Sequence, residues 1–325
     1  MRIFLAFMTF LAVGSASNTA SACEDGFERP DGVKISNSFE GGLPECRFAA
    51  YASEGDIAFA YYDSPTTRYR HGILGDAIEA GSLVVIGDDQ KEYRLALPDD
   101  EVFEDIEPRL VDLDGDGLVE VVTIRASVRA GAAVTVYGLE NGQLIQKATT
   151  EFHGRANRWL NIAGFGDFRG VGTLDIAFVR TPHIGGTLFF YSYSKGVFKE
   201  TAKLSGFSNH QIGSRELRLS AIADFDGDQV TDIVVPSADR NNLSFVQIKS
   251  SKLVEFDRIA LPSSIDKNID VVKNDAGISL KVGMRDGTVF KCNALSGLLF
   301  IECEPYDCSH SIILNLSATS DLRRF

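Results

Sequence analysis

DLDGDGLVE at residues 112–120 returns as DFDGDQVTD at residues 224–232, and a third copy at residues 167–175 is DFRGVGTLD. The copies begin 55 and then 57 residues apart, and each is followed by an apolar run rich in β-branched residues. Self-similarity at a fixed period of this size is typical of repeat architectures, in which each repeat is one supersecondary unit. The spacing therefore predicts a repeated unit of strand, acidic loop and strand.

The two intact loops carry oxygen ligands at a spacing that suits Ca²⁺. Carboxylates stand at loop positions 1, 3, 5 and 9, a backbone carbonyl at position 7 adds another oxygen, and glycine at position 4 permits a sharp turn. Ca²⁺ takes roughly six to eight such oxygens. We predict two structural calcium sites, whose ligands are Asp112, Asp114, Asp116, Glu120 and the Leu118 carbonyl in the first, and Asp224, Asp226, Asp228, Asp232 and the Val230 carbonyl in the second.

An EF-hand does not account for these loops. An EF-hand loop ends on glutamate at position 12 and lies between two helices, whereas position 12 here is Thr123 in one copy and Val235 in the other. The flanking segments are aliphatic and β-branched, which favours strands. A turn of Asp and Gly residues that binds no metal remains the alternative to a calcium site.

The middle copy has lost two acids, because Arg169 and Val171 occupy positions 3 and 5. We predict that this degenerate metal loop binds no ion. The Arg169 guanidinium would instead lie between Asp167 and Asp175 and replace the charge of the ion, since guanidinium groups pair well with carboxylates.

The strand-forming segments fall into five units of four strands, separated by turns rich in Gly, Asn, Ser and Lys. Radial repetition of four-stranded antiparallel sheets is a β-propeller, so we expect an all-β fold with about five blades. Six or seven blades, and an elongated array of β-sandwiches, are the alternatives. The predicted strands are 47–51, 56–61, 82–86 and 92–97; 109–112, 119–124, 133–138 and 144–149; 160–163, 174–179, 187–193 and 198–204; 217–223, 232–235, 243–248 and 254–261; 270–273, 279–283, 288–291 and 298–302.

With their flanking strands, the loops resemble the FG-GAP repeat family, also called VCBS, which forms the propellers of integrin α-subunit heads and of many secreted bacterial proteins. The resemblance is carried by ADFDGD at 223–228 with TDIVV at 231–235, and by the corresponding stretches that begin at Asp112 and Asp167. It implies a propeller and Ca²⁺ held by the loop acids. It implies no single activity, because one fold serves many functions.

The N-terminus has the features of a secretion signal peptide at residues 1–22. Arg2 precedes an apolar stretch at 3–13 that is too short to span a bilayer, and Ala-Ser-Ala at 20–22 suits cleavage. We therefore expect a secreted or periplasmic protein without a transmembrane segment, and lipid anchoring at Cys23 is an alternative. The predicted domains are the signal peptide at 1–22, an N-terminal extension or closure segment at 23–46, the repeat domain at 47–310, and a C-terminal closure strand and tail at 311–325.

An exported protein meets an oxidising compartment, so its five cysteines should mostly form disulfides. We expect Cys23 to pair with Cys46, and Cys292 to pair with Cys303 or Cys308. The formal net charge is −13, which argues against nucleic acid and anionic membranes as partners.

Most of the unusual polar residues fall in connections at the strand ends opposite the acidic loops. Four of the five histidines and the only tryptophan map to this face. Arginine forks suit carboxylates and sulfates, and aromatic rings suit the faces of sugars. The candidate ligand residues are His71, His153, Arg155, Asn157, Arg158, Trp159, His183, Asn209, His210, Arg215 and Glu216.

Two other interpretations of this face stay open. Its polar groups can bond to one another and simply close the loops, or His153, His183 and His210 can form a metal site. None of the common catalytic motifs is present, neither His-Glu-x-x-His nor Gly-x-Ser-x-Gly.

The sequence therefore favours an exported, calcium-stabilised propeller that acts as a binding or adhesion module, with a glycan, a small anionic ligand or a protein as partner. One alternative is a hydrolase or lyase on an acidic glycan, with His183 or His210 as general base and Arg155, Arg158 or Arg215 binding the substrate. Another is a structural subunit of an envelope assembly, which would expose an apolar patch. An enzyme needs a histidine within hydrogen-bond reach of a second acid or base over a pocket, whereas a binding module needs only an open patch.

Overall fold

Strands account for all the regular structure of the described part of the chain. The computed structural model describes residues 53–274, 277–294 and 301–306, together with 27–28, 34–35, 43 and 48–51. Every helix or strand assigned in these residues is a β-strand, so the predicted all-β class is confirmed. No helix among them is long and apolar enough to cross a membrane.

The chain forms two compact units, residues 1–46 and residues 47–325. In the first unit, β1 (Phe27–Glu28) pairs antiparallel with β2 (Lys34–Ile35). The second unit contains β3 (Phe48–Ala50), β4 (Ile57–Thr66), β5 (Glu79–Gly87), β6 (Glu92–Ala96), β7 (Glu101–Phe103), β8 (Arg109–Val111), β9 (Glu120–Ser127), β10 (Gly131–Glu140), β11 (Gln143–Thr149), β12 (Leu160–Gly166), β13 (Asp175–Arg180), β14 (Thr187–Ser194), β15 (Val197–Ser205), β16 (Ala221–Ala223), β17 (Asp232–Pro236), β18 (Asn242–Lys249), β19 (Lys252–Ala260), β20 (Ile265–Asn274), β21 (Gly277–Met284), β22 (Val289–Ala294) and β23 (Ile301–Pro305).

Three of the predicted units are separate four-stranded antiparallel sheets, formed by β12–β15, β16–β19 and β20–β23 in sequence order. The first two predicted units are joined instead. The short strand β7 pairs with β5 at Phe103 and with β9 along its whole length, which links β3–β6 and β8–β11 into one nine-stranded sheet. The expectation of five separate sheets is thus wrong for this pair, because β7 occupies the gap between them.

The burial of the strands shows that the sheets are covered on both faces. The second and third strands are buried along most of their length, as in β5, β9, β13 and β17. The fourth strands β6, β11 and β15 mix buried or half-buried positions with exposed ones, as solvated edges do. Burial on both faces requires a neighbouring sheet on each side.

Consecutive four-stranded units pack through equivalent strands at two levels. The first strand β12 contacts the first strand β16, which contacts the first strand β20, and β12 also contacts the second strand β9 of the preceding unit. The fourth strand β11 contacts the fourth strands β6 and β15. The approach of β12 to β16 needs glycine. Gly164 has a φ of +148°, and a Cβ atom added to it would lie 2.1 Å from Cδ1 of Ile222.

The connection between β4 and β5 also touches the connection that leads into the sheet of β16–β19. The amide of Gly213, between β15 and β16, donates to the carbonyl of Ile73, between β4 and β5, at 2.9 Å. Arg215 forms an ion pair with Asp76 at the same junction. The ends of sheets that are distant in sequence therefore meet at one place.

A disulfide joins Cys292 in β22 to Cys303 in β23, two residues that lie opposite each other in the sheet. Of the two partners expected for Cys292, the structure thus forms the bond with Cys303. The predicted Cys23–Cys46 pair, the signal peptide and the tail at 311–325 lie outside the described residues.

We predict that Gly164→Ala destabilises the protein by about 2 kcal/mol or more, because the new methyl group meets Ile222 and the backbone disfavours an L side chain. Gly142→Ala is the matched control, since Gly142 also has a positive φ, +74°, but no atom within 4 Å of an added Cβ; it should lose only about 1 kcal/mol. Adding Ile222→Val removes Cδ1 and should offset part of the Gly164→Ala effect in a denaturant-unfolding cycle. Strictly additive losses would contradict the proposed clash.

Candidate functional site

Each intact acidic loop joins the first and second strands of a four-stranded unit through the same turn. The first loop joins β8 to β9, and the second joins β16 to β17. Positions 4 and 6 take the left-handed conformation, with φ of +76° and +86° at Gly115 and Gly117, and +82° and +70° at Gly227 and Gln229. In the first loop, the two carboxylate oxygens of Asp112 accept the amides of Gly115 at 2.8 Å and Gly117 at 3.0 Å. The opening aspartate therefore fixes the turn.

The second loop repeats these bonds. Asp224 accepts the amides of Gly227 at 2.7 Å and Gln229 at 2.9 Å. At position 9, Asp232 accepts the amide of Phe225 at 2.9 Å, as Glu120 accepts that of Leu113 at 2.8 Å in the first loop. The same local geometry thus arises from two different sequences that share the acid spacing.

Three carboxylates converge in each intact loop. Ligand atoms of Asp112, Asp114 and Glu120 lie within 4.8 Å of one another, and so do those of Asp224, Asp226 and Asp232. The position-5 acids do not join these clusters. Asp116 and Asp228 instead accept the amides of Leu118 and Val230, at 2.8 Å and 2.9 Å. The structure thus brings together positions 1, 3 and 9 of the predicted ligand sets.

The position-9 carboxylates lie in an unfavourable environment unless a cation is present. Asp232 is 1% exposed, and its Oδ1 atom has no hydrogen-bond partner. Burial, with Asp226 and Asp228 nearby, raises the pKa of Asp232 to about 7. Burial likewise raises the pKa of Glu120 to about 7, and the neighbouring loop aspartates add to the effect. Converging oxygens with an orphaned buried atom fit a hard metal ion, so both clusters can hold one.

In the degenerate loop, an arginine side chain pairs with the buried carboxylate at position 9. Arg169 donates through Nε and Nη2 to both carboxylate oxygens of the fully buried Asp175, each at 2.8 Å. Asp167 accepts the amides of Val171 at 2.9 Å and Gly172 at 2.6 Å. A guanidinium therefore occupies the place beside the position-9 acid, and the replacement of an ion by Arg169 stays a prediction.

A cavity of about 390 Å³ lies beside the first acidic loop, with Asp114, Glu120, Tyr193 and Lys195 in its lining. The Lys195 amide donates to Asp114 at 3.0 Å. Burial and the nearby Glu120 and Asp114 raise the pKa of Tyr193 to about 12. Five carboxylates and two lysines line this cavity, so its charge does not suit an anion.

A second cavity, of about 140 Å³, lies at the strand ends opposite the acidic loops, where four connections converge. We call it the histidine cavity. Its lining comes from the β4–β5, β11–β12, β13–β14 and β15–β16 connections, and Arg158 is the one permanently charged side chain in it. The lining residues are His71, Ile73, Asn157, Arg158, Trp159, Thr181, His183, Ile184 and Ile212.

A chain of hydrogen bonds fixes the tautomers of two histidines. His210 Nε2 lies 2.9 Å from the Ser214 carbonyl, which only accepts, so Nε2 carries the proton. His210 Nδ1 must then accept from His183 Nε2 at 3.0 Å, which leaves Nδ1 of His183 unprotonated. Burial lowers the pKa of His183 to about 4 and that of His210 to about 3. Both rings are therefore neutral at neutral pH.

His71 is held by a carboxylate that the sequence analysis did not single out. Its Nδ1 lies 2.6 Å from Oε1 of Glu104, a residue that directly follows β7 and is fully buried. The other oxygen, Oε2, has no hydrogen-bond partner. Burial and Asp105 raise the pKa of Glu104, while burial and Arg158 lower that of His71. The two groups form a buried acid–base pair at the cavity wall.

Trp159 is a support for this cavity rather than an open platform. It is 2% exposed, its indole N–H donates to the Glu104 carbonyl at 3.0 Å, and its ring lies parallel to His183 and edge-on to His210. The ring face that the sequence suggested for a sugar is thus covered by histidines.

The remaining candidates lie outside the cavity lining. Asn209 and His210 are fully buried, Arg215 pairs with Asp76, and Glu216 pairs with Arg218. His153 and Arg155 also lie outside the lining. Asn209 and His210 are completely covered by neighbouring residues, so the structure gives no surface through which they would touch a ligand, and their role stays a prediction.

A three-histidine metal site is not formed. His183 and His210 use their facing ring nitrogens on each other. Among the residues that the structure describes, the two acidic clusters are the groups of three or more His, Cys, Asp or Glu side chains that converge.

Comparison with known proteins assigns no family to this chain. No protein-family profile matches it, and no curated protein matches it. Among solved structures, it is similar to the rhamnogalacturonan lyase YesW, with 15% identity, a TM-score of 0.47, and coverage of 84% of this chain and 52% of that chain. It is also similar to the exotype rhamnogalacturonan lyase YesX, with 14% identity, a TM-score of 0.43, and coverage of 82% and 57%. The chain thus spans 52% to 57% of these structures, and this degree of similarity assigns neither an activity nor a substrate.

We predict that a chelator lowers the melting temperature, and more so above pH 7 than below it. Glu120 and Asp232 have folded pKa values of about 7, above their unfolded values of 4.5 and 3.8. The metal-free protein therefore binds extra protons between those values and loses stability as pH rises through that window. Filling one site to 100 times its dissociation constant adds about 2.7 kcal/mol. Thermal unfolding with Ca²⁺ or chelator tests this, with Asp232→Asn as the variant that should weaken both dependences; a chelator-insensitive melting temperature would contradict the metal site.

We predict that the double variant Arg169→Asp/Val171→Asp turns the degenerate loop into a calcium loop. Without metal it should be destabilised by about 3–5 kcal/mol, because Asp175 stays buried and loses its guanidinium partner. Ca²⁺ should restore most of this loss, since carboxylates then stand at positions 1, 3, 5 and 9. Arg169→Ala is the control, with a similar loss and no recovery. Equal behaviour of both variants in calcium titrations followed by thermal unfolding would sink the idea.

Proposed function

We propose that this protein is an exported β-propeller of the FG-GAP type, stabilised by Ca²⁺ in its two intact acidic loops, and that it binds a small anionic ligand, an acidic saccharide, in the histidine cavity. The observation that carries the proposal is the convergence of four connections on one cavity that contains His71, Arg158 and His183. The site lies at the strand ends away from the metal loops, so the ions are structural.

The contact between the unit β3–β6, the first, and the connection into β16–β19, the fourth unit, supports a closed ring of sheets. In an elongated array, sheets stack about 10 Å apart, and two intervening layers would separate those units. Here the β4–β5 and β15–β16 connections are in direct contact, through Gly213 with Ile73 and Arg215 with Asp76. Sheets arranged radially bring their ends together in this way.

The charge of the histidine cavity supports an anionic ligand. Arg158 is the permanent charge in the lining, and its positive charge contributes to the lowered pKa of His71. A guanidinium binds a carboxylate or sulfate through paired hydrogen bonds. In a protein with a net charge of −13, a lining whose permanent charge is an arginine favours an anion at this place over the rest of the surface.

Two other functions have specific observations in their favour. An enzyme that acts on an acidic glycan is favoured by the histidines, since His71 bonds to Glu104 and His183 bonds to His210. A protein-binding surface is favoured by Ile184 and Ile212, which are 61% and 60% exposed. These two isoleucines belong to the cavity lining, so a saccharide with an apolar ring face can also contact them.

We predict that Arg158→Gln weakens the binding of a uronate oligosaccharide by roughly 10- to 100-fold, because a hydrogen bond to a charged group contributes about 1.5–3 kcal/mol. Arg155→Gln is the matched control, because Arg155 is exposed and outside the lining, and it should change the dissociation constant less than about twofold. Titration calorimetry with uronate and neutral glucose oligosaccharides measures both. Equal affinity for the two sugars, or equal losses in the two variants, would remove the assigned role of Arg158.

A further inference from the structure

The pair of Glu104 and His71 has the construction of a proton-transfer group. Glu104 is fully buried, it contacts His71 Nδ1 at 2.6 Å, and its second oxygen has no partner. When this carboxylate is ionised, it accepts from Nδ1–H, so the lone pair of His71 lies on Nε2, the other ring nitrogen. His71 also lines the cavity beside Arg158. A carboxylate that fixes a histidine tautomer and stabilises the imidazolium is the arrangement that makes histidine an effective base.

We propose that His71, oriented by Glu104, transfers the proton in a β-elimination on an acidic saccharide held in the histidine cavity, an inference that rests on the proposed binding of that ligand class. His71 is the catalytic residue, and Glu104 is a positioning residue. Arg158 holds the carboxylate of the sugar.

Elimination fits the side chains better than hydrolysis does. Glycoside hydrolysis commonly needs two carboxyl groups that flank the scissile bond, and the histidine cavity has no carboxylate in its lining. Glu104 cannot take that part because it is fully buried behind His71. Removal of a proton next to a carboxylate requires a base and a cation that pairs with the substrate carboxylate. It does not require a pair of carboxyl groups.

The step balances without a co-reactant. His71 Nε2 takes the proton from C5 of a 4-linked uronate, the C5–H electron pair becomes the C4=C5 double bond, and the C4–O bond breaks with its electrons on the glycosidic oxygen. That oxygen then takes the proton back from His71. Arg158 stabilises the negative charge that develops on the carboxylate as the proton leaves. Because one histidine serves both transfers, H5 and O4 must lie on the same side of the ring, as in 4-linked glucuronate but not in 4-linked galacturonate.

The test combines binding and turnover on the full-length protein with Ca²⁺ present. Oligosaccharides of 4-linked glucuronate are expected to bind and to yield the unsaturated product, which is followed by the ultraviolet absorbance of its conjugated double bond, while 4-linked galacturonate is not cleaved. His71→Gln should lose roughly 100-fold or more in kcat at saturating oligosaccharide, the usual contribution of general base catalysis. Binding by the wild type without turnover, or turnover retained in His71→Gln, overturns the proposal and leaves the binding function standing. Absence of binding removes both, so the two failures are distinguishable.

The role of Glu104 is tested by the pH dependence of kcat/KM, which a purely structural residue would not change. The groups that face His71 are Glu104 after β7, Arg158 before β12, Tyr69 in its own connection and His183 after β13. Glu104→Gln removes the one negative charge among them, so the acidic limb of the kcat/KM profile should move to lower pH and kcat should fall at least roughly tenfold. An unchanged pH profile, with a wild-type thermal melt, removes Glu104 from this role.

Discussion

The amide of the eighth residue in each nine-residue loop donates a hydrogen bond to the four-stranded unit or the loop that precedes it in the chain. The three bonds run from Val119 N to Asp56 Oδ1 at 2.8 Å, from Leu174 N to Leu113 O at 3.2 Å, and from Thr231 N to Asp167 O at 3.4 Å. Each loop therefore closes its own hairpin and also bonds to the unit or loop before it. This explains why the degenerate loop keeps its turn although it has lost two acids. Its eighth residue, Leu174, still has to reach Leu113 in the loop before it.

Position 9 of the loops gives an internal comparison of three carboxylates in one structural setting. Glu120, Asp175 and Asp232 are all buried at the start of a second strand. Asp175 has both oxygens on the Arg169 guanidinium, whereas Asp232 keeps an oxygen without a partner. A buried anion needs a compensating charge, and one loop has it within its own sequence. The same demand in the other two loops supports their capacity to hold a cation.

Local chemistry made part of this molecule predictable from its sequence. The strand class, the acidic turns and the pairing of Arg169 with Asp175 follow from residues close together in the chain. The strand β7 was not predicted, because its three residues carry no pattern and only their pairing with β5 and β9 makes them a strand. Glu104 was missed for the same reason, since its partner His71 lies 33 residues away. The burial of Trp159 and His210 likewise depends on connections that meet only in the folded chain.

The second strand of each of three units runs from an acidic loop to the opposite end of the sheet. β13 begins at Asp175, in the degenerate loop, and ends at Arg180, three residues before His183. β17 and β9 run in the same way from a position-9 acid toward the opposite face. These strands are almost wholly buried, so a displacement at the loop end cannot be absorbed by solvent-exposed side chains along the way. Of these strands, β13 leads directly to the connection that carries Thr181, His183 and Ile184 in the histidine cavity. A displacement at Asp175 would therefore reach His183 along this one buried strand.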